Sequence, residues 1–295
     1  MLSQPLTILS ALAVVLTIAT LAGAVIGLEQ NLKERIRSWW WIIGVLGSAI
    51  LLGRTAVIAL FAGISFIVLR EFLALTQLET SDRRAIVTTL VLVLPFQYAL
   101  VGIGQANWLT FLVVPVLIAF SGDTRNYLAR TAELLSGQWI CIYCISCVPA
   151  LFGRNQQSGP MIFLILVTQA SDVLQYTFGK VAGRHKIAPS ISPSKTVEGF
   201  IGAILSATAL GAGLYWLTPF KAPQAGVLAF IIALAGFLGG LVMSAIKRDR
   251  GVKDWSQLIP GHGGMLDRVD SLCFSAPLFL FLTRALFSAP PPLAH

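Results

Sequence analysis

Long apolar runs separated by short polar segments dominate this chain. Ten of them approach the ~20 residues that a helix needs to cross a bilayer. They lie at roughly 6–28, 37–53, 55–75, 85–103, 108–122, 138–152, 161–178, 198–218, 224–246 and 269–288. Only Gly53 and Arg54 divide the second run from the third, so eight or nine spans also fit the pattern. The pattern therefore predicts an all-α fold, a polytopic integral membrane helical bundle with about 9–10 transmembrane helices.

The first run, at 6–28, has no short hydrophobic core followed by a cleavage site, so we interpret it as a retained span rather than a signal peptide. Two polar segments interrupt the later runs, one from Thr168 to Glu198 and one from Ser244 to Asp270. Charged side chains are costly in hydrocarbon, so a membrane protein that carries such segments usually needs them for function. We therefore divide the chain into N-terminal transmembrane helices, 1–160, which are poorly diagnostic, and C-terminal helices, 161–295, which carry both segments.

The basic residues fall mostly on one side of the predicted bundle. When the loops alternate along the ten runs, 17 of the 21 lysines and arginines lie on one side, and the exceptions are Arg54, Arg154, Lys221 and Arg284. The positive-inside rule then places both polar segments in the cytoplasm. We predict a multi-pass protein of the cell membrane whose active site faces the cytoplasm.

Composition agrees with this topology and excludes some functions. The chain is 56% hydrophobic and 12% charged, about half the charged fraction of soluble domains. Its net charge of +8 follows from the topology and suits anionic membrane lipids, so we expect no nucleic-acid partner. Cys141, Cys144 and Cys147 lie in an apolar run without the fourth ligand of an iron–sulfur site, so we expect these residues and Cys273 to pack in the core.

The first polar segment begins with a carboxylate at membrane depth. Asp172 follows a stretch of apolar residues, and such a carboxylate costs about a few kcal/mol unless it binds a metal or pairs with a cation from a neighbouring helix. Both alternatives stay open. Ser194, Lys195 and Thr196 precede the next predicted helix, where free N–H groups and the helix dipole attract anions. Glu198, at the start of the same predicted helix, has a negative charge that simply complements this dipole in one interpretation.

The second polar segment combines cations, carboxylates and glycines, a set that suits a phosphate-rich, metal-bound ligand. The stretch 260–264 cannot continue a helix, and its glycines let a ligand approach the backbone. Asp267 and Asp270 follow at i and i+3 on one helix face, where they could hold one divalent ion or bridge two. Asp267 is also compatible with a helix N-cap, and His262 with a general base, a phosphate contact or a spacer. Internal ion pairs would give the same pattern of charges.

The same two segments resemble a known family. The pattern S-x-x-K-R-x4-K-D-x5-P-G-H-G-G-x2-D-R-x-D, from Ser244 to Asp270, is similar to the motif of CDP-diglyceride synthetases (phosphatidate cytidylyltransferases). The run from Ser171 to Gly199 resembles the second conserved region of that family. The resemblance covers roughly the last 130 residues. It implies a helical membrane enzyme, typically a homodimer, that uses Mg²⁺ to join CTP to phosphatidic acid. Apart from the resemblance, a second, monovalent cation is a candidate cofactor.

One position departs from the family pattern. The family usually has G-D-L-x-E-S before K-R, whereas this chain has Gly240 in place of the aspartate and Met243 in place of the glutamate. If the aspartate is a metal ligand in the family, the site here lacks one anionic ligand. A smaller set of ligands would hold Mg²⁺ less firmly and would lower the rate.

Residue chemistry and resemblance together give a set of predicted site residues. We expect catalysis to involve Asp172, Lys195, Lys247, Arg248, Lys253, Asp254, Asp267 and Asp270, and substrate binding to involve Ser194, Thr196, His262, Gly263, Gly264 and Arg268. The predicted metal ligands are Asp172, Asp267 and Asp270. The expected function is cytidylyl transfer from CTP to phosphatidic acid. The alternatives are a CTP-dependent lipid kinase and a catalytically impaired member of the family that binds CTP or lipid.

Overall fold

The computed structural model describes residues 10, 17, 30–76, 78, 82–107, 109–153, 157–258 and 263–287, with the side chains from residue 40 onward. The first half of the chain holds α1 (Gln30–Leu52), α2 (Arg54–Leu73), α3 (Arg83–Gly102), α4 (Val113–Ala119) and α5 (Tyr127–Ala150). The second half holds α6 (Gly159–Ala182), strands β1 (Lys186–Ala188) and β2 (Ser192–Thr196), α7 (Val197–Gly213), α8 (Ala222–Asp249), α9 (Leu266–Val269) and α10 (Leu272–Phe287).

The predicted fold class is confirmed. Within the described residues, six helices are long and apolar enough to cross a membrane: α2, α3, α5, α6, α8 and the segment Leu266–Leu286 that includes α9 and α10. Three shorter apolar helices, Trp40–Leu52, Thr110–Ala119 and Val197–Gly213, coincide with further predicted spans. Nine of the ten predicted runs therefore contain apolar helix, although three of these helices are shorter than a full span. The run at 6–28 lies outside the described residues, apart from two isolated positions.

Helices α6, α7 and α8 pack against one another, and α10 packs against α8. Small residues make the closest approach between α7 and α8, since a Cβ on Gly211 would collide with the Cβ of Ala229. Between helices in a membrane, such small residues let backbones approach and gain van der Waals contact. Deeper in the bundle, Phe163 of α6 stacks on Phe279 of α10 with ring centroids 5.7 Å apart. This packing fixes α6, which carries Asp172, against α8 and against α10, which begins two residues after Asp270.

The ends of the N-terminal helices are held by buried or partly buried arginines. Arg54 donates to the carbonyls of Val101 (2.6 Å), Gly102 (2.8 Å) and Phe152 (3.1 Å) and so satisfies the free carbonyls at two helix ends. At the other end of the bundle, Arg130 lies between the carboxylates of Asp82 and Asp123. A buried cation with two carboxylate partners links the loops on that side of the bundle.

A short hairpin interrupts the helical pattern in the first polar segment. Strands β1 and β2 are antiparallel, with Lys186 opposite Thr196 and Ala188 opposite Ser192. The hairpin ends directly in α7, because Thr196 is both the last residue of β2 and the N-cap of the helix. Lys195 is therefore held by strand pairing just before the helix begins.

The four cysteines are buried and free, as expected for residues that pack in the core.

Candidate active site

Asp172 and Asp270 are near enough to interact electrostatically, although one comes from α6 and the other from the turn between α9 and α10. Ser271 links them, since its hydroxyl hydrogen-bonds with Asp172 and its N–H donates to the Asp270 Oδ1 at 2.8 Å. Two carboxylates that interact in this way repel each other unless a cation lies between or beside them. The two polar segments of the sequence therefore meet at a single acidic pair.

Lys195 supplies a cation to this pair. Its ammonium interacts electrostatically with Asp172 and Asp270, donates to the Phe237 carbonyl at 3.2 Å and lies 4.7 Å from the centroid of the Phe237 ring. Burial lowers the pKa of Lys195 below its ordinary value, and the two carboxylates oppose that shift. The hairpin and α8 thus hold a partly buried ammonium group beside the acidic pair.

Gly240 provides the space for this ammonium group. A Cβ built on Gly240 would lie 2.8 Å from the Lys195 Nζ and 3.9 Å from the Ser271 Oγ. The position at which the family pattern has an aspartate therefore faces the acidic pair and its lysine. In this chain, Gly240 has no side chain, and the Lys195 ammonium lies in the space that a side chain would occupy.

Asp267 points in another direction, although it lies only three residues before Asp270. Its Oδ1 accepts from the Lys247 Nζ at 2.7 Å, and its Oδ2 accepts from the N–H groups of Gly264 (2.9 Å) and Trp255 (3.0 Å). The side chain is 6% exposed. The N-cap alternative is wrong, because the N-cap residue of α9 is Met265 and the backbone donors to Asp267 precede the helix. Lys247 forms the internal ion pair that the sequence left open.

Glu71, at the end of α2, is a site-supporting residue that the sequence analysis missed. Its carboxylate accepts from the Ser256 hydroxyl at 2.6 Å and from the N–H groups of Met265 (3.0 Å) and Leu266 (2.8 Å). It therefore binds the free N–H groups at the start of α9 and joins the N-terminal half to the second polar segment. A signal was present, since Glu71 is the one acidic residue in the predicted span at 55–75.

The adjacent Phe72 completes this contact by stacking on Trp255, with ring centroids 5.4 Å apart.

The two glycines before α9 are required by close contacts. Gly263 has φ of 75°, and a Cβ there would lie 2.8 Å from the Asp267 Oδ2. A Cβ on Gly264 would lie 2.8 Å from the Glu71 Oε2. Both glycines thus let the loop fold onto carboxylates, and a side chain at either position would push the loop away. His262 lies outside the described residues, so its role stays a prediction.

Thr196, at the hairpin end of the site, has a structural role. Its hydroxyl accepts from the Gly199 N–H at 3.1 Å and is buried, so it caps α7. Ser194 is exposed on the hairpin and accessible to a ligand. Glu198 accepts from the His185 N–H and lies 2.6 Å from its ring Nδ1, so it holds the loop before the hairpin as well as lying at a helix start.

The remaining predicted cations lie around the rim of the site. Arg248 donates to the carbonyls of Ile191 (3.2 Å) and Val252 (2.9 Å), and so joins the hairpin to the segment after α8. Lys253 and Asp254 are exposed on that segment. Arg268 is exposed on α9 and interacts electrostatically with Asp172. These positions suit contacts with a charged ligand that approaches from solvent.

The acidic pair has the donor chemistry of a Mg²⁺ site. In the part of the chain that the structure describes, no group of three or more His, Cys, Asp or Glu side chains is arranged to hold a metal ion. Mg²⁺, however, is commonly bound by one or two carboxylates together with waters and substrate phosphates. Asp172 and Asp270 fit this requirement, whereas Asp267 is already neutralised by Lys247.

Comparison with known proteins shows the family. The sequence matches the model of the cytidylyltransferase family over residues 33–286. The chain belongs to the cytidylyltransferase family. It is therefore a nucleotidyltransferase, and its apolar helices make it a multi-pass membrane protein. The match begins in α1, so the family relationship includes the N-terminal half, which by motif alone resembled the family only in being apolar.

Individual relatives agree with this assignment. The Escherichia coli (strain K12) protein YnbB, itself uncharacterized, is 35% identical over 268 residues, which cover 85% of this chain and 86% of YnbB. The phosphatidate cytidylyltransferase of Staphylococcus saprophyticus is 31% identical over 231 residues, 74% of this chain and 86% of the relative. That of Staphylococcus aureus is 31% identical over 245 residues, 79% and 92% respectively. The predicted resemblance is confirmed.

Proposed function

We propose that this enzyme transfers the cytidylyl group of CTP to phosphatidic acid and releases CDP-diacylglycerol and diphosphate. The observation that carries the proposal is the partly buried cluster of Asp172, Asp270 and Lys195, which interact electrostatically between helices long and apolar enough to span the membrane. Carboxylates and cations at the end of a membrane bundle suit two phosphate-bearing substrates, one from water and one from the bilayer. Relatives that are 31% identical are phosphatidate cytidylyltransferases, which supports the same substrates.

The reaction requires little from the protein beyond position and charge. A phosphate oxygen of phosphatidic acid attacks the α-phosphorus of CTP, a new P–O bond forms, and the bond from the α-phosphorus to the bridging oxygen breaks so that diphosphate leaves. The attacking oxygen is already an anion, so no strong base is needed. Rate enhancement then comes from alignment of the two phosphates and from neutralisation of their repulsion.

We assign these tasks to residues of both polar segments. Lys195 neutralises charge beside the acidic pair, and Arg248, Lys253 and Arg268 at the rim contact the phosphates of CTP. Lys247 contributes charge while it holds Asp267 and, through Asp267, the glycine-rich loop. The N–H groups of this loop and the exposed Ser194 donate further hydrogen bonds.

Asp172 and Asp270 would hold Mg²⁺. When bound, the ion supplies positive charge to the phosphate oxygens. A monovalent cation is a second candidate cofactor.

We further propose that the enzyme lies in the cell membrane as a homodimer with this site at the cytoplasmic face, where CTP is available. The distribution of lysines and arginines supports this orientation. Single cysteines at the exposed Lys186 and Lys221 test it, because the orientation places them on opposite sides of the membrane. A membrane-impermeant maleimide should label the Lys221→Cys protein in intact spheroplasts and the Lys186→Cys protein only after the membrane is opened. The reverse pattern would contradict the orientation.

The reaction is tested with purified protein, Mg²⁺, CTP and phosphatidic acid. We expect release of diphosphate, with label from α-labelled CTP entering the lipid and label from γ-labelled CTP staying in diphosphate. Transfer of γ-label to lipid would instead show a CTP-dependent kinase. An Asp270→Asn variant, which removes one carboxylate of the pair, is the inactive control. Bound CTP without turnover, with activity gained in Gly240→Asp, would show an impaired enzyme that serves as a binding protein.

A further inference from the structure

Arg250 joins the end of α8 to the N-terminal half of the chain. Its guanidinium donates to the Glu133 Oε1 at 2.5 Å, across 117 positions of sequence. Both side chains are 18% exposed, so water screens this ion pair only in part. Arg250 also lies 3.5 Å from Asp249, but that carboxylate is 74% exposed. Glu133 is therefore the partner that fixes the position of Arg250.

Neither member of this ion pair was singled out by the sequence. Arg250 occupies one of the unspecified positions in the pattern that begins at Ser244, and Glu133 lies outside both polar segments. Their pairing depends on the packing of α5 beside the end of α8, which only the structure reveals.

Arg250 is the C-cap residue of α8 and begins a tight turn. The N–H of Gly251 donates to the Arg248 carbonyl at 3.0 Å, and that of Val252 donates to the Lys247 carbonyl at 2.9 Å. With Gly251 at φ of 70°, these two bonds form a Schellman motif. The Arg248 guanidinium donates to the Val252 carbonyl at 2.9 Å and so closes the turn from the other side. The position of Arg250 thus sets the position of the turn from which the rim cations extend.

Glu133 is well placed to hold this turn, because its own helix is anchored. Arg130, about one helical turn earlier on α5, is 2% exposed and lies between the carboxylates of Asp82 and Asp123. A buried cation with two carboxylate partners fixes this end of α5 to the neighbouring loops. Glu133 therefore holds Arg250 from a rigid position.

We propose that Glu133 is a positioning residue for the nucleotide, which acts through Arg250 to hold Arg248 and Lys253 toward the triphosphate of CTP. This role rests on the proposed function, which assigns those two cations to the phosphates. Cations that are held in place bind a ligand more tightly than mobile ones, because binding does not have to order them. By Coulomb's law alone, an acidic residue near the site would repel CTP. We therefore expect removal of this negative charge to weaken CTP binding, opposite to the direct electrostatic effect.

Binding of labelled CTP with Mg²⁺, in the absence of phosphatidic acid, tests this role without turnover. In nanodiscs, Glu133→Ala should raise the Kd for CTP about tenfold, which corresponds to about 1.4 kcal/mol. Glu133→Gln keeps an acceptor oxygen for Arg250 and should raise the Kd about threefold. The matched control Asp249→Ala removes the same charge from an exposed neighbour of Arg250 and should change the Kd by less than about twofold.

A double-variant cycle shows whether Glu133 acts through Arg250. The Kd of the protein with both Glu133→Ala and Arg250→Ala should equal that of Arg250→Ala within about twofold, because each substitution removes the same contact. Losses that multiply would show that the two residues act independently. Hydrogen exchange should also be about tenfold faster in Glu133→Ala at the amides of Gly251 and Val252, and unchanged in Asp249→Ala.

The diphosphate assay separates positioning from general damage to the fold. Glu133→Ala should raise the KM for CTP about tenfold and leave kcat and the KM for phosphatidic acid within about twofold. CTP binding that is unchanged or tighter in Glu133→Ala, equal losses in Asp249→Ala, or multiplying losses in the cycle would overturn the inference, as would a lower kcat with an unchanged KM for CTP. A protein that shows the expected binding differences but releases no diphosphate would contradict the proposed function and leave the role of Glu133 standing.

Discussion

Glu71 is the residue for which the structure makes the sharpest prediction. Its carboxylate is 8% exposed and accepts hydrogen bonds from the Ser256 hydroxyl and from the N–H groups of Met265 and Leu266. Glu71→Gln keeps the size of the side chain but removes its charge and one acceptor oxygen. If the amide oxygen stays with Ser256 and Met265, the amide NH₂ group faces the Leu266 N–H, and two donors oppose each other.

The cost follows from hydrogen-bond energies. A buried donor without an acceptor costs about 1–3 kcal/mol, and the remaining two bonds lose the strength that the charge gave them. We therefore expect Glu71→Gln to destabilise the native conformation of the glycine-rich loop before α9 by about 3 kcal/mol. This changes the equilibrium between that conformation and conformations in which the loop has detached by about a hundredfold. Because Gly264, at the end of this loop, donates to Asp267, the loss should extend to the Lys247–Asp267 pair and lower kcat/KM for CTP at least tenfold.

Two measurements check this prediction. Hydrogen exchange followed by mass spectrometry should show amides of 251–258 and 263–266 exchanging about a hundredfold faster in Glu71→Gln. Diphosphate release should fall in the same variant. Arg70→Gln is the matched control, since it introduces the same side chain at the neighbouring exposed position and should change neither measurement. Wild-type exchange in these loop segments together with wild-type activity would show that Glu71 does not hold the loop.

Three further predictions concern the acidic pair, the buried ion pair and the hairpin. Gly240→Asp places a carboxylate against the Lys195 ammonium, and this carboxylate should draw the lysine away from the acidic pair. The Mg²⁺ concentration for half-maximal diphosphate release should then fall about tenfold. An unchanged concentration would contradict this reasoning. Lys247→Met leaves the Asp267 carboxylate buried without its cation and should cost about 3–5 kcal/mol in the free energy of unfolding, while the double variant with Asp267→Asn should recover stability but not activity. Thr196→Ala removes the cap of α7 and should cost about 1 kcal/mol in denaturant unfolding, whereas Thr196→Ser should keep the cap; equal losses in both would rule out the capping role.

The helices could be predicted because the bilayer permits few alternatives. Backbone N–H and C=O groups must be satisfied within the membrane, so an apolar run of sufficient length becomes a helix whatever its detailed sequence. This holds for α2, α6 and α8, whose predicted and observed ranges differ by a few residues. It holds less well for the runs at 108–122 and 198–218, where the structure has short helices at Thr110–Ala119 and Val197–Gly213. Hydropathy does not register the turns that end these helices early.

The polar segments could be recognised from sequence, but the pairings of their side chains could not be assigned. Spacing put Asp267 and Asp270 on one helix face and left both as metal ligands, yet the structure gives Asp267 to Lys247 and the loop, and Asp270 to Asp172. A spacing of i and i+3 fixes only how two residues lie on their own helix. Which partner each carboxylate meets depends on the helices packed against it.

The sequence by itself determined that the protein is a helical membrane bundle with two polar segments of family-specific chemistry, because hydrophobic length and motif spacing are local properties of the chain. Only the tertiary structure decided that Lys195 fills the space at Gly240 and that Glu71 binds the N–H groups at the end of the glycine-rich loop. Each of these contacts joins residues from different helices. Their energies depend on burial and on distances of a few ångströms, which arise when the helices pack and which no window along the chain contains.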